Sequence, residues 1–321
     1  MSLSPILKKA KNFEEYREFW NEVQSAAFLT EFPLHLDIEL TSICNLKCKM
    51  CWQANDPDKI EFGMMSEILF KKIIDEGVKN GLCAIKLQSR GEAMMHPKIF
   101  EFSKYAKDQG VIDIHLTTNG TLFLKQDKIQ DLFKSGIDKL IFSYDEGHEE
   151  SIKEIYKNKK KIPNIINIFN KISEIKNEKK MKKPLLVVQT FLSDNEKKEE
   201  KIKEINQLFK NVDNINLNQL WNSMPLEESL PGLKKNYEFH PCSYLWSRML
   251  VFWNGNVVPC CRDYEDKFFK IGNANNDTIK DIWLSKEFMK LREMHLKGSR
   301  IQIPICHNCD ISTKKICNKI S

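Results

Sequence analysis

Apolar residues along the chain follow two rhythms. Between positions 11 and 27, Phe13, Tyr16, Phe19, Trp20 and Val23 recur at the spacing of one helix face, which predicts an amphipathic N-terminal helix. Beyond it, short apolar and β-branched runs at 34–40, 83–88, 112–117, 139–144, 185–191 and 214–220 read as strands. Longer amphipathic stretches near 66–80, 97–109, 125–135, 163–176 and 197–209 separate them and read as helices. Six strands alternating with helices predict a parallel sheet with right-handed crossovers. Curled up, this α/β arrangement is a partial (β/α)6 barrel of TIM type. Functional residues then belong at the C-terminal ends of its strands.

After Trp221 the alternation stops. A link carrying Pro225 and Gly232 leads into a segment with other rules. There, apolar runs at 249–253 and 256–258 flank Asn254-Gly255, a signal for a type I′ hairpin turn. A helix is predicted from about 278 to 296, followed by a cysteine-bearing tail. The expected organisation is an N-terminal helical extension over 1–33, a barrel over 34–224 and a small α+β module over 225–321.

With 321 residues the chain can bury a sizeable core. It has no apolar run long enough for a bilayer and no signal-peptide h-region, so a cytoplasmic protein without a membrane role is expected. The net charge of +6 comes almost wholly from lysine. The lysine-rich runs at 157–161 and 179–183 lack interleaved aromatics and read as solvated faces rather than a nucleic-acid surface. Arginine is confined to Arg17, Arg90, Arg248, Arg262, Arg292 and Arg300, where a planar fork can be wanted for itself. Ten cysteines in a reducing compartment point to metal ligation rather than disulfides.

Three of those cysteines, Cys44, Cys48 and Cys51, share one short loop after the first barrel strand. Three thiolates can hold three irons of a [4Fe–4S] cube and leave the fourth open to a small molecule. A zinc knuckle would need a fourth Cys or His nearby, and none lies between Cys51 and Cys83. The C-x3-C-x2-C loop resembles the signature of the radical S-adenosylmethionine (SAM) enzymes. In that family the open iron chelates SAM, and electron transfer cleaves it to a 5′-deoxyadenosyl radical. Met50 and Trp52 fit the family pattern near the adenine.

The same resemblance extends to the later strand ends. Ser89-Arg90-Gly91-Glu92 is similar to the family's Gly-Gly-Glu motif, in which the carboxylate takes the SAM ammonium and glycine allows close backbone approach. The match is partial: Arg90 replaces a small residue and either pairs with a SAM or substrate anion or with an acid of the protein. Thr117-Thr118-Asn119-Gly120 is similar to the ribose-contacting turn, although alone it reads as an Asn-Gly turn. Ser143, Asp145, Gln189 and Thr190 stand where the family places polar residues facing SAM or substrate. His35, His115 and His148 show no ligand spacing and read as ordinary strand or loop residues; His96 reads as a loop residue and Cys83 as a packed thiol.

The last quarter holds Cys242, Cys260, Cys261, Cys306, Cys309 and Cys317. Two pairs brought together by a small domain suit either zinc or an iron–sulfur cube. Here the pattern resembles the SPASM and twitch modules of radical SAM enzymes, which hold auxiliary [4Fe–4S] clusters. With only Cys317 after Cys309, it fits the one-cluster twitch form, as in 2-deoxy-scyllo-inosamine dehydrogenase. The resemblance implies Cys242, Cys260, Cys306 and Cys309 as ligands. Cys261 is left over, as a hydrogen-atom donor, a backup ligand or a packed thiol. Arg262 beside it either orients an anionic substrate group, deprotonates a hydroxyl or forms a surface ion pair.

The expected function is a radical SAM oxidoreductase. It would dehydrogenate a sugar, cyclitol or nucleotide-linked small molecule, with the auxiliary cluster as electron acceptor and an electron donor such as flavodoxin or ferredoxin. The alternatives are peptide or protein modification, C–H epimerisation, and a non-catalytic metal-binding redox module. The first 33 residues are too few for a winged-helix peptide-recognition domain, which weights the small-molecule reading.

Overall fold

Alternation of side chains across six short parallel strands builds the frame that carries the site. The computed structural model describes residues 5–24, 28–159, 162–192, 197–219, 241–265, 269–307 and 309. Strand β1 (Pro5–Ile6) precedes α1 (Phe13–Gln24) and pairs in parallel with β2 (Leu29–Thr30). Then follow β3 (His35–Ile38), the short α2 (Trp52–Asn55), α3 (Glu67–Asn80) and β4 (Ala84–Leu87). The alternation continues with α4 (Ile99–Gln109), β5 (Asp113–Thr118), α5 (Gln126–Lys134) and β6 (Lys139–Ser143). It closes with α6 (Glu146–Tyr156), α7 (Ile165–Glu178), β7 (Leu185–Leu192), α8 (Lys198–Leu208) and β8 (Asn214–Gln219).

Strands β3 to β8 lie side by side in chain order, every neighbouring pair parallel, as the alternation predicts. One face of these strands is apolar: Leu36, Ile38, Ile85, Leu87, Ile114, Leu116, Leu140, Phe142, Leu186 and Val188 are fully buried. Phe70 and Ile74 of α3, Phe102 of α4, Ile129 of α5 and Phe169 and Ile172 of α7 belong to the same core. Because strand side chains alternate, the residues between them point to the concave face, the lumen. That face carries Asp37, Lys86, His115, Lys139, Ser143, Gln189 and Asn216, with Ile141 and Val187 as apolar residues among them. Helix α1 closes its N-terminal end, where Trp20 meets His35 edge-on with centroids 5.6 Å apart.

The C-terminal segment contributes α9 (Tyr244–Ser247), β9 (Arg248–Val251), β10 (Asn256–Val258), β11 (Gly272–Asn273), α10 (Ile279–Trp283), α11 (Lys286–Leu296) and α12 (Pro304–His307). Its strands join the barrel's sheet. β9 runs parallel to β3, pairing His35 with Arg248 and Ile38 with Val251, and β10 returns antiparallel to β9.

Three local expectations need correction. The hairpin turn is not type I′: Gly255 N–H donates to the Phe252 carbonyl (2.9 Å), and only Gly255 (φ 86°), not Asn254, has positive φ. Phe252 pairs with Asn256 at 2.8 Å, so the loop is three residues long, a type I turn followed by a left-handed glycine. The helix expected over 278–296 is two helices, because Ser285 caps α11 by accepting from Phe288 N–H. Helix α6, not expected at all, begins where Asp145 accepts from His148 N–H. The link at 225–232 and Cys317 lie outside the described residues.

Candidate functional site

The three-cysteine loop leaves β3 at the C-terminal end of the barrel. Its lead-in, Thr41 to Ile43, is crossed by the turn after β4. A Cβ on Gly91 would stand 2.4 Å from the Thr41 carbonyl oxygen and 2.6 Å from that of Ile43, so only glycine fits this crossing. Glu92 N–H then donates to the Ile43 carbonyl at 3.0 Å. The Glu92 side chain is 4% exposed and turns toward the next strand end. It accepts from Met94 N–H (3.0 Å), Thr118 Oγ1 (2.7 Å) and Asn119 N–H (2.7 Å). Burial pushes its carboxyl pKa up, against these three hydrogen bonds. Three of the roughly four acceptor positions of a carboxylate are thus taken, leaving one for a ligand.

Asn119 binds the cysteine loop directly, donating from Nδ2 to Asn45 Oδ1 at 3.0 Å. Asn45 Nδ2 donates to Thr121 Oγ1 (2.8 Å) and Tyr156 OH (3.3 Å). Helix α6 holds the loop from the other side: Lys47 N–H donates to Ser151 Oγ at 2.8 Å, and Ser151 hydrogen-bonds the Cys48 thiol. Met50 lies over Gly147, where a Cβ would meet its sulfur at 2.5 Å. Asn45, Ser151 and Tyr156 escaped the sequence reading, since partners 76 to 111 positions apart leave no local pattern.

Gly91, Glu92, Thr118 and Asn119 are therefore brought together against the loop of Cys44, Cys48 and Cys51. Met50 and Asp145 flank it. Asp145 is occupied in capping α6 and in an ion pair with His148 Nδ1. Ser143 and Gln189 are register partners on β6 and β7, both half-buried on the lumen face, while Thr190 is buried on the opposite face.

The loop fits a cluster. Burial pushes the Cys44 thiol up to about 11 and the Cys48 thiol up to about 12, so each needs adjacent positive charge to ligate as thiolate. Leu46 N–H already points at Cys44 Sγ (3.5 Å), the kind of donor a ligating sulfur takes. Among the described residues no three His, Cys, Asp or Glu side chains converge on a single metal ion.

The second constellation brings together Cys242 just before α9, Cys260 in the loop after β10, Cys306 of α12 and Cys309 just beyond it. Cys242 interacts electrostatically with Cys260, Cys306 and Cys309. Burial pushes Cys242 up to about 11 and Cys306 to about 12. Arg262 N–H points at Cys260 Sγ (3.4 Å), and Arg300 Nη2 binds the Cys306 carbonyl (3.2 Å) and that of Cys309. Cys242 N–H donates to His295 Nδ1 at 3.2 Å.

Cys261 is exposed, yet it feels Arg248, Asp37 and Lys86, so its surface faces the concave side of the barrel. Its hydrogen bond with the Cys260 thiol, helped by Arg248, holds its pKa below the usual thiol range. Burial acts to raise the Asp37 carboxyl, but Arg248 (3.4 Å) and His35 overcome it and hold it well below the usual range. Arg248 also lies 3.5 Å over the Tyr244 ring. His115, a half-buried residue of β5, bonds Asp113 through Nε2 at 2.7 Å, and burial lowers its pKa. Arg90 does not face the loop's open side: it is paired with Glu39 through two 2.7 Å hydrogen bonds and donates to the Tyr264 carbonyl.

Residues 38–217 match the Radical SAM superfamily model, and residues 242–310 match SPASM, an iron–sulfur cluster-binding domain. The chain belongs to the radical SAM superfamily and carries [4Fe–4S] clusters and SAM as its cofactors. Among individual relatives, it is 26% identical to the tungsten-containing aldehyde ferredoxin oxidoreductase cofactor-modifying protein of Pyrococcus furiosus, over 86% of this chain and 87% of that one. It is 31% identical to the GTP 3′,8-cyclase of Desulforamulus reducens, over 38% of this chain and 37% of that one. Its fold is similar to BtrN crystallised with AdoMet and 2-DOIA (TM-score 0.59, 19% identity, 86% of this chain and 92% of that one). It is also similar to anSMEcpe with bound AdoMet (TM-score 0.57, 17% identity, 88% and 91%). No helix among the described residues is long and apolar enough to cross a membrane.

Proposed function

We propose that this radical SAM enzyme dehydrogenates an alcohol carbon of a sugar, cyclitol or nucleotide-linked small molecule. The observation that carries the reading is the placement of Cys261. It follows Cys260 directly and lies within electrostatic reach of Asp37 and Lys86 on the barrel strands, which supports a substrate bound on the concave face beside the auxiliary constellation. In this reading Cys44, Cys48 and Cys51 hold the SAM-binding cluster, and Cys242, Cys260, Cys306 and Cys309 hold the auxiliary one. When bound, these groups supply a hydrogen-atom acceptor at one side of the substrate and an electron sink at the other. The substrate gives up a hydrogen atom, a proton and an electron, and leaves as a carbonyl compound.

The chain's own residues bind and orient. Glu92 keeps one acceptor position for the SAM ammonium, Asn119 and Thr118 fix the ribose-side turn, and Met50 packs the adenine side. Ser143, Gln189 and Asp145 line the approach from β6 and β7. Arg262 orients the substrate's polar end, and the enclosed lumen keeps water from a substrate radical. A reduced protein such as flavodoxin or ferredoxin supplies the electron that begins the cycle.

The near-full-length likeness to a cofactor-modifying protein favours a second reading, in which the substrate is a cofactor precursor. One experiment separates outcomes. The anaerobically reconstituted enzyme is reduced with dithionite and given SAM and a panel of sugars and cyclitols deuterated at each carbinol carbon. Oxidation moves one deuterium into 5′-deoxyadenosine per carbonyl formed. Solvent deuterium entering the attacked carbon, dependent on Cys261, would make the enzyme an epimerase instead.

A further inference from the structure

The lumen floor holds two lysines, Lys86 and Lys139, that no described residue meets with a direct hydrogen bond or ion pair. Asp37, Lys86, His115 and Lys139 are register partners on the adjacent strands β3, β4, β5 and β6, and so form one row across the concave face. The nearest acids act electrostatically on these lysines, Asp37 on Lys86 and Asp113 on Lys139, but each has its own direct partner. Asp37 pairs with Arg248, Asp113 with His115, and Glu39 with Arg90. Neither the Lys86 nor the Lys139 ammonium makes a hydrogen bond or ion pair with any described residue. Lys86 and Lys139 are both half-buried and feel each other's charge. A partly desolvated ammonium is costly unless an anion meets it.

We propose that Lys86 and Lys139, with His115 between them, form a phosphoryl-binding subsite that takes a phosphate group of the substrate. This rests on the reading that the substrate occupies the lumen. The two lysines stand on alternate strands, roughly 10 Å apart at the backbone, within reach of one tetrahedral group held between their flexible stems. Ammonium groups are compact charges with rotatable donors and suit a dianion with oxygens on several sides. The planar fork of Arg248, which suits carboxylate or phosphate, is already spent on Asp37 and stacked on Tyr244, so the lysines are what remains for a ligand. The subsite lies deeper in the barrel than Ser143 and Gln189, so it anchors the substrate's far end and leaves its carbinol carbons near the strand ends.

The test is isothermal titration of the cluster-loaded, SAM-bound enzyme with inorganic phosphate at fixed ionic strength. Wild type should bind one equivalent saturably. Lys86→Gln and Lys139→Gln should each weaken binding about tenfold, as loss of one charge-assisted hydrogen bond does. Lys86→Arg should restore most of it, and the surface variant Lys104→Gln, whose ammonium pairs with Asp108, should change nothing. Unsaturable binding by wild type, unchanged binding in both lumen variants, or equal weakening by Lys104→Gln overturns the proposal. Iron content should be the same in every variant, and SAM affinity and dithionite-driven 5′-deoxyadenosine formation should be unchanged in the surface variant Lys104→Gln. Loss of the last in wild type would instead fail the radical-enzyme reading, with phosphate binding still able to stand.

Discussion

Glu39 and Arg90 clasp each other through two 2.7 Å hydrogen bonds, with side chains 0% and 6% exposed. The guanidinium also lies 3.9 Å over the Phe252 ring and donates to the Tyr264 carbonyl. One pair therefore joins β3, the turn after β4 and the loops on both sides of β10. Breaking a buried pair strands a charge. Glu39→Ala should lower stability by about 3–5 kcal/mol in urea unfolding of the metal-free protein. Arg90→Lys, which cannot reproduce the fork, should lose a good part of that too.

Gly91 is the closest crossing in the site. Gly91→Ala must push the turn off the Thr41–Ile43 backbone, and Glu92 moves with it. The expected result is weaker SAM binding, by at least about tenfold, with most iron retained. Equilibrium dialysis against SAM alongside iron analysis checks this; unchanged SAM affinity would contradict the crossing's role.

The bridge from Asn119 to Asn45 ties the ribose-side turn to the cysteine loop. Asn45→Ala also strips partners from Thr121 and Tyr156. It should slow cluster assembly and raise the Kd for SAM about tenfold. Asn45→Asp, which keeps the acceptor for Asn119 Nδ2, should fall between wild type and Ala.

Acid should unfold the metal-free protein early. Burial lowers the pKa values of His35 and His115, so the fold holds both neutral where the unfolded chain takes up protons. Below about pH 6.5 the unfolded state binds more protons, and stability falls as pH falls. Each histidine contributes a slope of at most about 1.4 kcal/mol per pH unit. His115→Gln should flatten the dependence of urea-unfolding free energy between pH 7 and 5.5.

Two cubes in one chain predict about eight irons after anaerobic loading. The Cys44/Cys48/Cys51→Ala variant should keep about four. Iron, sulfide and zinc analysis decides it, and one zinc in place of the remaining irons would remove the electron sink.

Much of this was legible because local chemistry wrote it. The strands show as β-branched runs, and the cysteine loop announces itself by spacing. What stayed hidden depends on distance along the chain. Arg90 had two readings until Glu39, fifty-one positions away, was placed beside it. His115 looked like any strand residue because Asp-x-His is also ordinary strand alternation; only the register shows it between two lysines. Helix α6 was missed because its apolar positions, Ile152 and Ile155, are few among charges, and its role is to seat Ser151 and Gly147 on the cysteine loop. At the hairpin, Asn-Gly was identified correctly as a turn, but the three-residue loop moved the glycine to the bulge position.

The pairing of β9 with β3 carries one more consequence. His35 to Ile38 is hydrogen-bonded on both sides, to β4 and to β9. A truncated chain ending before Cys242 would not be a smaller enzyme with one cofactor fewer. It would expose the amides and carbonyls of its central strand as a raw edge, open to strand addition from another copy. The auxiliary module is thus also a cover against self-association, and engineering that swaps it must supply a replacement strand along with replacement cysteines.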